Sequence, residues 1–76
     1  MSKKVYIVMS GSAGYGQPIT SADIEKVFDK EIKAIKYIND VWSKYIVDYN
    51  TRTGVYSRDI SLYVKEIKFI EEREVQ

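Results

Sequence analysis

The apolar segment near the N-terminus, Lys3 to Ser10, constrains the fold most, because as a strand it has two apolar faces. One face would carry Val5, Ile7 and Met9, and the other Tyr6 and Val8. Such a strand is typical of a position where both faces of a sheet are shielded from water. We therefore predict that this segment is a central strand.

The chain has 76 residues and no cysteine, so it must form its core without disulfide bonds. We expect one domain over residues 1–76, soluble and located in a reducing cytoplasm. Twelve basic residues balance eleven acidic ones, which disfavours a dedicated nucleic-acid binder. No run reaches the roughly 20 apolar residues that span a bilayer, so no membrane partner is expected.

Helical periodicity is clearest from about Lys30 to Tyr49. At 100° per residue, the large apolar side chains gather in one half of the wheel. These are Ile32, Ile35, Ile38, Trp42, Tyr45, Ile46 and Tyr49. The opposite face carries charged residues and, among them, Tyr37. We predict an amphipathic helix that packs on a sheet.

Two segments fit either a helix or a strand. Asp23 to Phe28 could extend the helix backwards, but a helix from Ala22 would run for almost thirty residues, so we predict a strand with Asp29 capping the helix. Leu62 to Glu71 is rich in β-branched and aromatic residues and is also predicted as a strand. The resulting fold class is α+β, a small antiparallel sheet of about three strands with one amphipathic helix on one face, in the order β-β-α-β.

The glycine-rich stretch Gly11 to Gln17 does not match a phosphate-binding motif. Gln17-Pro18 stands where a Walker A loop requires lysine and a hydroxyl, and the spacing G-x-x-G-x-G is not the dinucleotide fingerprint. The composition is typical of a mobile connection between two strands of a hairpin. An exposed Tyr15 within it would suit contact with a partner, and its backbone amides could hold an anion weakly.

Catalysis is disfavoured because histidine and cysteine are both absent. The commonest general base, the thiol nucleophiles and the Cys/His zinc sites are therefore missing. Neighbouring carboxylates such as Glu71 and Glu72 are expected to be solvated surface charges. We predict no enzyme activity, no metal and no cofactor.

Seven tyrosines and one tryptophan in 76 residues are the unusual feature of the composition. Tyrosine combines a large contact area with a polar hydroxyl, and interface hot spots are enriched in tyrosine. We expect most of these rings in the core. The predicted partner-binding residues are Gly14, Tyr15, Gly16, Lys33, Tyr37, Lys44 and Tyr56.

The same lysines and tyrosine allow an alternative interpretation. Lys33, Tyr37 and Lys44 have the composition of a surface for single-stranded nucleic acid, where bases stack on rings and lysines follow the phosphates. Asp40 and Asp48 share the predicted face and weaken its field. A binder of nucleic acid or of an anionic small ligand is therefore the second hypothesis.

Three stretches, "KKVYIVMSG", "IEKVFDKEIKAIKYI" and "YVKEIKFIEE", resemble small uncharacterised proteins encoded by tailed bacteriophages of Gram-positive bacteria. The resemblance covers most of the chain and carries no functional residue. It implies an accessory protein that binds and modulates or inhibits one host protein, such as a replication, transcription or defence component. Open strand edges would also allow a homodimer.

Overall fold

The structure is a computed structural model that describes residues 3–14 and 22–75. Its elements are β1 (Lys3–Gly14), β2 (Ala22–Phe28), α1 (Glu31–Val41), β3 (Asp48–Asn50), β4 (Val55–Asp59) and β5 (Val64–Val75). The strands form one antiparallel sheet in the order β2-β1-β5-β4-β3. The α+β class is confirmed. The predicted number of three strands and the order β-β-α-β are wrong, since β3 and β4 were missed.

Strand β1 is central, as its two apolar faces predict. It pairs with β2 on one side and along its full length with β5 on the other, from Lys3 opposite Val75 to Gly14 opposite Val64. The glycine-rich stretch therefore begins inside a strand rather than in a loop. β1 and β2 are antiparallel neighbours, as the predicted hairpin requires. Residues 15–21 between them lie outside the described residues.

A β-bulge in β2 determines which side chains reach the helix. Val8 pairs with Lys26 and the next residue, Met9, pairs with Ile24, so Glu25 is the extra residue of β2. A bulge redirects a side chain that strict alternation would place on the other face. Here it places Glu25 beside the helix, where Tyr37 donates a hydrogen bond to its carboxylate.

Helix α1 ends at Val41, eight residues before the predicted end. Tyr45 N–H donates to the carbonyl of Trp42 at 3.0 Å, which closes a turn after the helix. Ile46 is 93% exposed, and Tyr49 lies in β3 rather than on a helix. The continuous apolar spacing of this region therefore spans a helix, a turn and an edge strand.

The core lies between α1 and the sheet. Ala34, Ile38 and Trp42, spaced four residues apart along the chain, pack with Val8 of β1. Partly buried side chains surround this cluster, namely Tyr6, Phe28, Tyr37, Val47, Tyr56 and Ile70. The helix is rotated relative to the predicted wheel, because Ala34 is fully buried and Ile32, expected in the core, is 72% exposed.

The N-cap of α1 is Lys30 and not the predicted Asp29. Lys30 has an extended backbone, and its side chain makes no capping hydrogen bond. Asp29 instead forms an ion pair with Lys33, with 3.0 Å between Oδ1 and Nζ. Among the described residues, no helix has the length and apolar character to cross a membrane.

The turn Asn50 to Gly54 connects β3 to β4. Gly54 N–H donates to the carbonyl of Asn50 at 2.7 Å, and Gly54 has a φ of 73°. This left-handed conformation favours glycine. The turn allows Tyr49 to pair with Tyr56 across the two strands, with their ring centroids 4.5 Å apart.

Candidate functional site

The turn between β4 and β5 presents three large apolar side chains to solvent. Ile60 is 49% exposed, Leu62 is 84% exposed and Tyr63 is 78% exposed. We call these three residues the apolar tip. Scattered apolar residues are normal on a protein surface. Three large ones within four positions of one turn are clustered, and exposed apolar clusters often mark interaction sites.

Hydrogen bonds hold the turn of the apolar tip in one conformation. The Ser61 hydroxyl oxygen accepts from the backbone N–H of Tyr63 at 3.3 Å and of Val64 at 3.1 Å. The N–H groups of Ile60 and Ser61 both donate to the Val64 carbonyl at 3.1 Å. The turn is therefore stabilised by hydrogen bonds among its own residues and the first residue of β5.

The apolar tip lies at the end of the sheet where the glycine-rich stretch leaves β1. Gly14, a predicted partner-binding residue, is the last residue of β1 and pairs with Val64, which directly follows the tip. Tyr15 and Gly16 lie outside the described residues. Behind the tip, Arg58 Nε and Glu66 Oε1 are 3.1 Å apart and join β4 to β5.

A largely buried ion pair joins β5 to β2, and a tyrosine of the helix hydrogen-bonds to it. The Lys68 ammonium, on a residue only 4% exposed, donates to the Glu25 carboxylate, which also accepts from the Tyr37 hydroxyl. The Lys68 Nζ lies 5.2 Å from the centre of the Trp42 ring. These groups satisfy one another, and every buried side-chain nitrogen and oxygen in the described residues has a partner.

The surroundings of Glu25 favour its ionised form. Burial alone would raise the pKa of this carboxyl, but the hydrogen bonds from Lys68 and Tyr37, the Lys68 charge and a hydrogen bond from Ser10 together lower it below its ordinary value. Glu25 is thus ionised at neutral pH. Its position between helix and sheet indicates a structural role.

The predicted position of Tyr37 on the solvent face is wrong. Its ring is half-buried against Phe28, with the centroids 5.4 Å apart, and its hydroxyl points to Glu25. Lys33 is exposed and paired with Asp29, and Lys44 lies beyond the end of α1. These three residues therefore do not form the continuous Lys/Tyr helix face on which the nucleic-acid hypothesis depends.

Tyr56, another predicted partner-binding residue, is only partly exposed. It lies in β4, half-buried against the core on the helix side of the sheet. Burial, together with the neighbouring Tyr49 and Glu31, raises the pKa of its hydroxyl. Its role in binding a partner stays a prediction.

The described residues contain no group of three or more Asp and Glu side chains arranged to hold a metal ion. No protein-family model, curated protein or solved structure matches this chain.

Sequence reasoning missed the apolar tip because Leu62 and Tyr63 continue the β-branched and aromatic pattern of the following strand. The signal that could have located it is "DIS", Asp59 to Ser61. Asp and Ser are turn residues, and here they separate two strand-like runs.

Proposed function

We propose that this protein is a non-catalytic binding module that inserts its apolar tip into an apolar pocket of a partner protein. The observation that carries the proposal is the exposure of Leu62 and Tyr63, 84% and 78%, on a turn held by its own hydrogen bonds. Burial of an exposed leucine or tyrosine side chain lowers the free energy, because it removes apolar surface from water.

The ordered turn supports this proposal further. A segment that already has its bound conformation loses little conformational entropy on binding, so more of the burial energy remains as affinity. Hot spots of interfaces are few, and they are enriched in aromatic side chains that fill a pocket. Tyr63 and Leu62 together would form such an anchor.

The resemblance to small phage proteins suggests which partner to test first. Proteins of that class bind and modulate or inhibit a host protein, so a bacterial replication, transcription or defence component is the proposed partner. The nearly balanced net charge of +1 favours an apolar contact over phosphate recognition.

Site-specific photo-crosslinking tests the proposal. A photoreactive amino acid is placed at position 62, and at position 32 as a matched control, since Ile32 is 72% exposed on the helix. We expect one adduct from position 62 in nuclease-treated lysate at both 50 and 200 mM salt, and none from position 32. Unlabelled wild-type protein should compete for the adduct, and Leu62→Asp should not.

Four results would contradict the proposal. The same adducts from both positions would indicate nonspecific contact. The absence of an adduct from position 62 would show that the apolar tip does not contact a partner protein. Loss of the adduct as the salt rises from 50 to 200 mM would favour the nucleic-acid or anion hypothesis. An adduct of twice the chain mass would show instead that a second copy of this chain receives the tip.

A further inference from the structure

A cleft on the helix side of the sheet lies far from the apolar tip. Its volume is about 240 Å³. Tyr6 of β1 lines this cleft. Gly14, beside the apolar tip, lies eight positions further along β1, which corresponds to about 26 Å along a strand. We call this cleft the tyrosine cleft, and its polar lining consists of Tyr6, Tyr49, Tyr56, Glu31 and Glu72.

The lining of the tyrosine cleft is aromatic and acidic. The rings of Tyr49 and Tyr56 contact each other across β3 and β4 in a tilted arrangement, with centroids 4.5 Å apart and planes inclined by 41°. The face of an aromatic ring is electronegative, so it attracts cations. Ile35 and Ile70 add apolar surface, and no lysine or arginine of the described chain lines the cleft.

The two carboxylates of the cleft differ in their partners. Glu72 Oε1 lies 3.1 Å from Lys4 Nζ, so its charge is already balanced at the rim. Glu31, by contrast, forms no ion pair with any cation in the described residues. It is close enough to Tyr56 to raise the pKa of that hydroxyl, after burial and Tyr49. The cleft therefore has a carboxylate with no ion-pair partner in the described residues, beside two tilted rings.

We propose that the tyrosine cleft binds an organic cation, that is, an alkylammonium or guanidinium group. The group would lie against the rings of Tyr49 and Tyr56 and pair with Glu31. A volume of about 240 Å³ is below the 300–1,000 Å³ typical of pockets for drug-sized ligands, so it suits a single head group. This inference goes beyond the proposed protein-binding function, because it concerns another site.

The cation could come from a free small molecule or from an arginine or lysine side chain of a protein. Titrations followed by amide chemical shifts distinguish these sources. The probes are choline, propylguanidinium, a blocked tripeptide with a central arginine, and 3,3-dimethylbutan-1-ol as the neutral isostere of choline. Ionic strength is held constant with sodium chloride, and the amides of Gly54 and Tyr49 report on the cleft.

We expect saturable shifts at Gly54 and Tyr49 with at least one cation and none with the neutral isostere. Tighter binding of the tripeptide than of propylguanidinium would identify a protein side chain as the ligand. Saturation by choline alone would identify a free ammonium compound. The absence of saturation with every cation, or equal shifts with the neutral isostere, would overturn the inference.

Variants test whether the named residues bind the cation. Glu31→Gln and Tyr49→Leu should each weaken binding about threefold to tenfold, since each removes one attractive contact. Asp40→Asn is the matched control, because it removes a carboxylate from the same helix outside the cleft. The affinity of this variant for the cation should equal that of the wild type. Equal affinities in wild type and Glu31→Gln would overturn the assignment.

Glu31 and Tyr49 are both exposed, so these substitutions should leave the fold intact. Unchanged amide spectra away from the cleft would verify this for each variant. The photo-crosslinking result at position 62 is independent of these titrations. Failure of one proposal therefore does not affect the other.

Discussion

At the scale of single residues, Glu25 shows how one extra residue in a strand changes the interior. The bulge in β2 places its carboxylate between Lys68 and Tyr37, while Ile24 pairs with Met9 of β1. A lysine that is only 4% exposed requires a partner, because an unpaired buried ammonium is costly. The bulge thus supplies the counter-ion for Lys68.

A double-mutant cycle measures this pair. Glu25→Gln should lower the free energy of unfolding by about 2–4 kcal/mol, since it leaves Lys68 uncompensated. Lys68→Met should be destabilising as well, and the double variant should lose less than the sum of the two. Urea denaturation gives these values. Additive losses would show that the two side chains are not coupled in solution.

The same pair determines an acid-sensitive part of the stability. The pKa of Glu25 is lower in the folded protein than its ordinary value of 4.5, so folding favours the ionised carboxyl. Its contribution is fully present above about pH 4.5 and is lost as the pH falls through the lowered pKa. Glu25→Gln should therefore flatten the stability profile below pH 4.5. The exposed variant Asp29→Asn should flatten it less, and an unchanged profile in Glu25→Gln would contradict this.

At the scale of elements, helix α1 is short and its N-terminus has no side-chain cap. Its first turn has Glu31, which suits the helix dipole, but Lys30 at the N-cap makes no side-chain hydrogen bond. The helix is held mainly by its buried stripe, from Ala34 to Trp42. Most helical stability in proteins comes from such packing.

Repairing the N-cap should stabilise the protein. Lys30→Ser provides a hydroxyl that can accept a hydrogen bond from the first turn, and we expect a gain of about 0.5–1 kcal/mol in the free energy of unfolding. Lys36→Ser, at an exposed position inside the helix, is the control and should be neutral or destabilising. Equal effects of the two substitutions, by thermal or urea denaturation, would refute the capping argument.

The sequence predicted some elements well and misjudged others. β1 was located from its two apolar faces. The segment of β2 was assigned to a strand because a helix from Ala22 would have been too long, and the last strand was assigned from its β-branched and aromatic residues. The helix was predicted to Tyr49 because Tyr45, Ile46 and Tyr49 happen to keep its spacing. Strands β3 and β4 are three and five residues long, too short for a periodic signal.

At the scale of the whole molecule, the sheet depends on contacts between distant parts of the chain. β1 and β5 pair over twelve residues each, although they lie at opposite ends of the chain. Loop-closure entropy opposes such pairing during folding. Every other strand joins the sheet through one of these two, directly or through β4.

This topology predicts slow folding for a chain of 76 residues. Stopped-flow refolding at 25 °C should take about milliseconds to seconds, as for other domains dominated by non-local strand pairing. Substituting Val8→Ala in the centre of β1 should slow refolding, whereas Leu62→Asp at the exposed tip should not. Refolding within microseconds, typical of local helical folds, would contradict the observed sheet order.

For the candidate sites, composition indicated tyrosine as the contact residue. The structure differs from the prediction in which tyrosines are exposed. Tyr37 turns inward because the bulge brings Glu25 to it, and Tyr56 joins Tyr49 in the cleft. Tyr63 was assigned to a strand, and its exposure depends on where β5 begins. A single sequence cannot show which ring of a pair is buried, because that depends on strand register.

The sequence by itself determined the α+β class, the central position of β1 and the absence of histidine and cysteine chemistry, because these follow from local periodicity and composition. Only the tertiary structure decided the five-strand order, the end of α1, the apolar tip and the tyrosine cleft. Each of these depends on pairing between segments far apart in the chain. Such pairing is set by the total burial and hydrogen bonding of the whole sheet, which no local window of sequence contains.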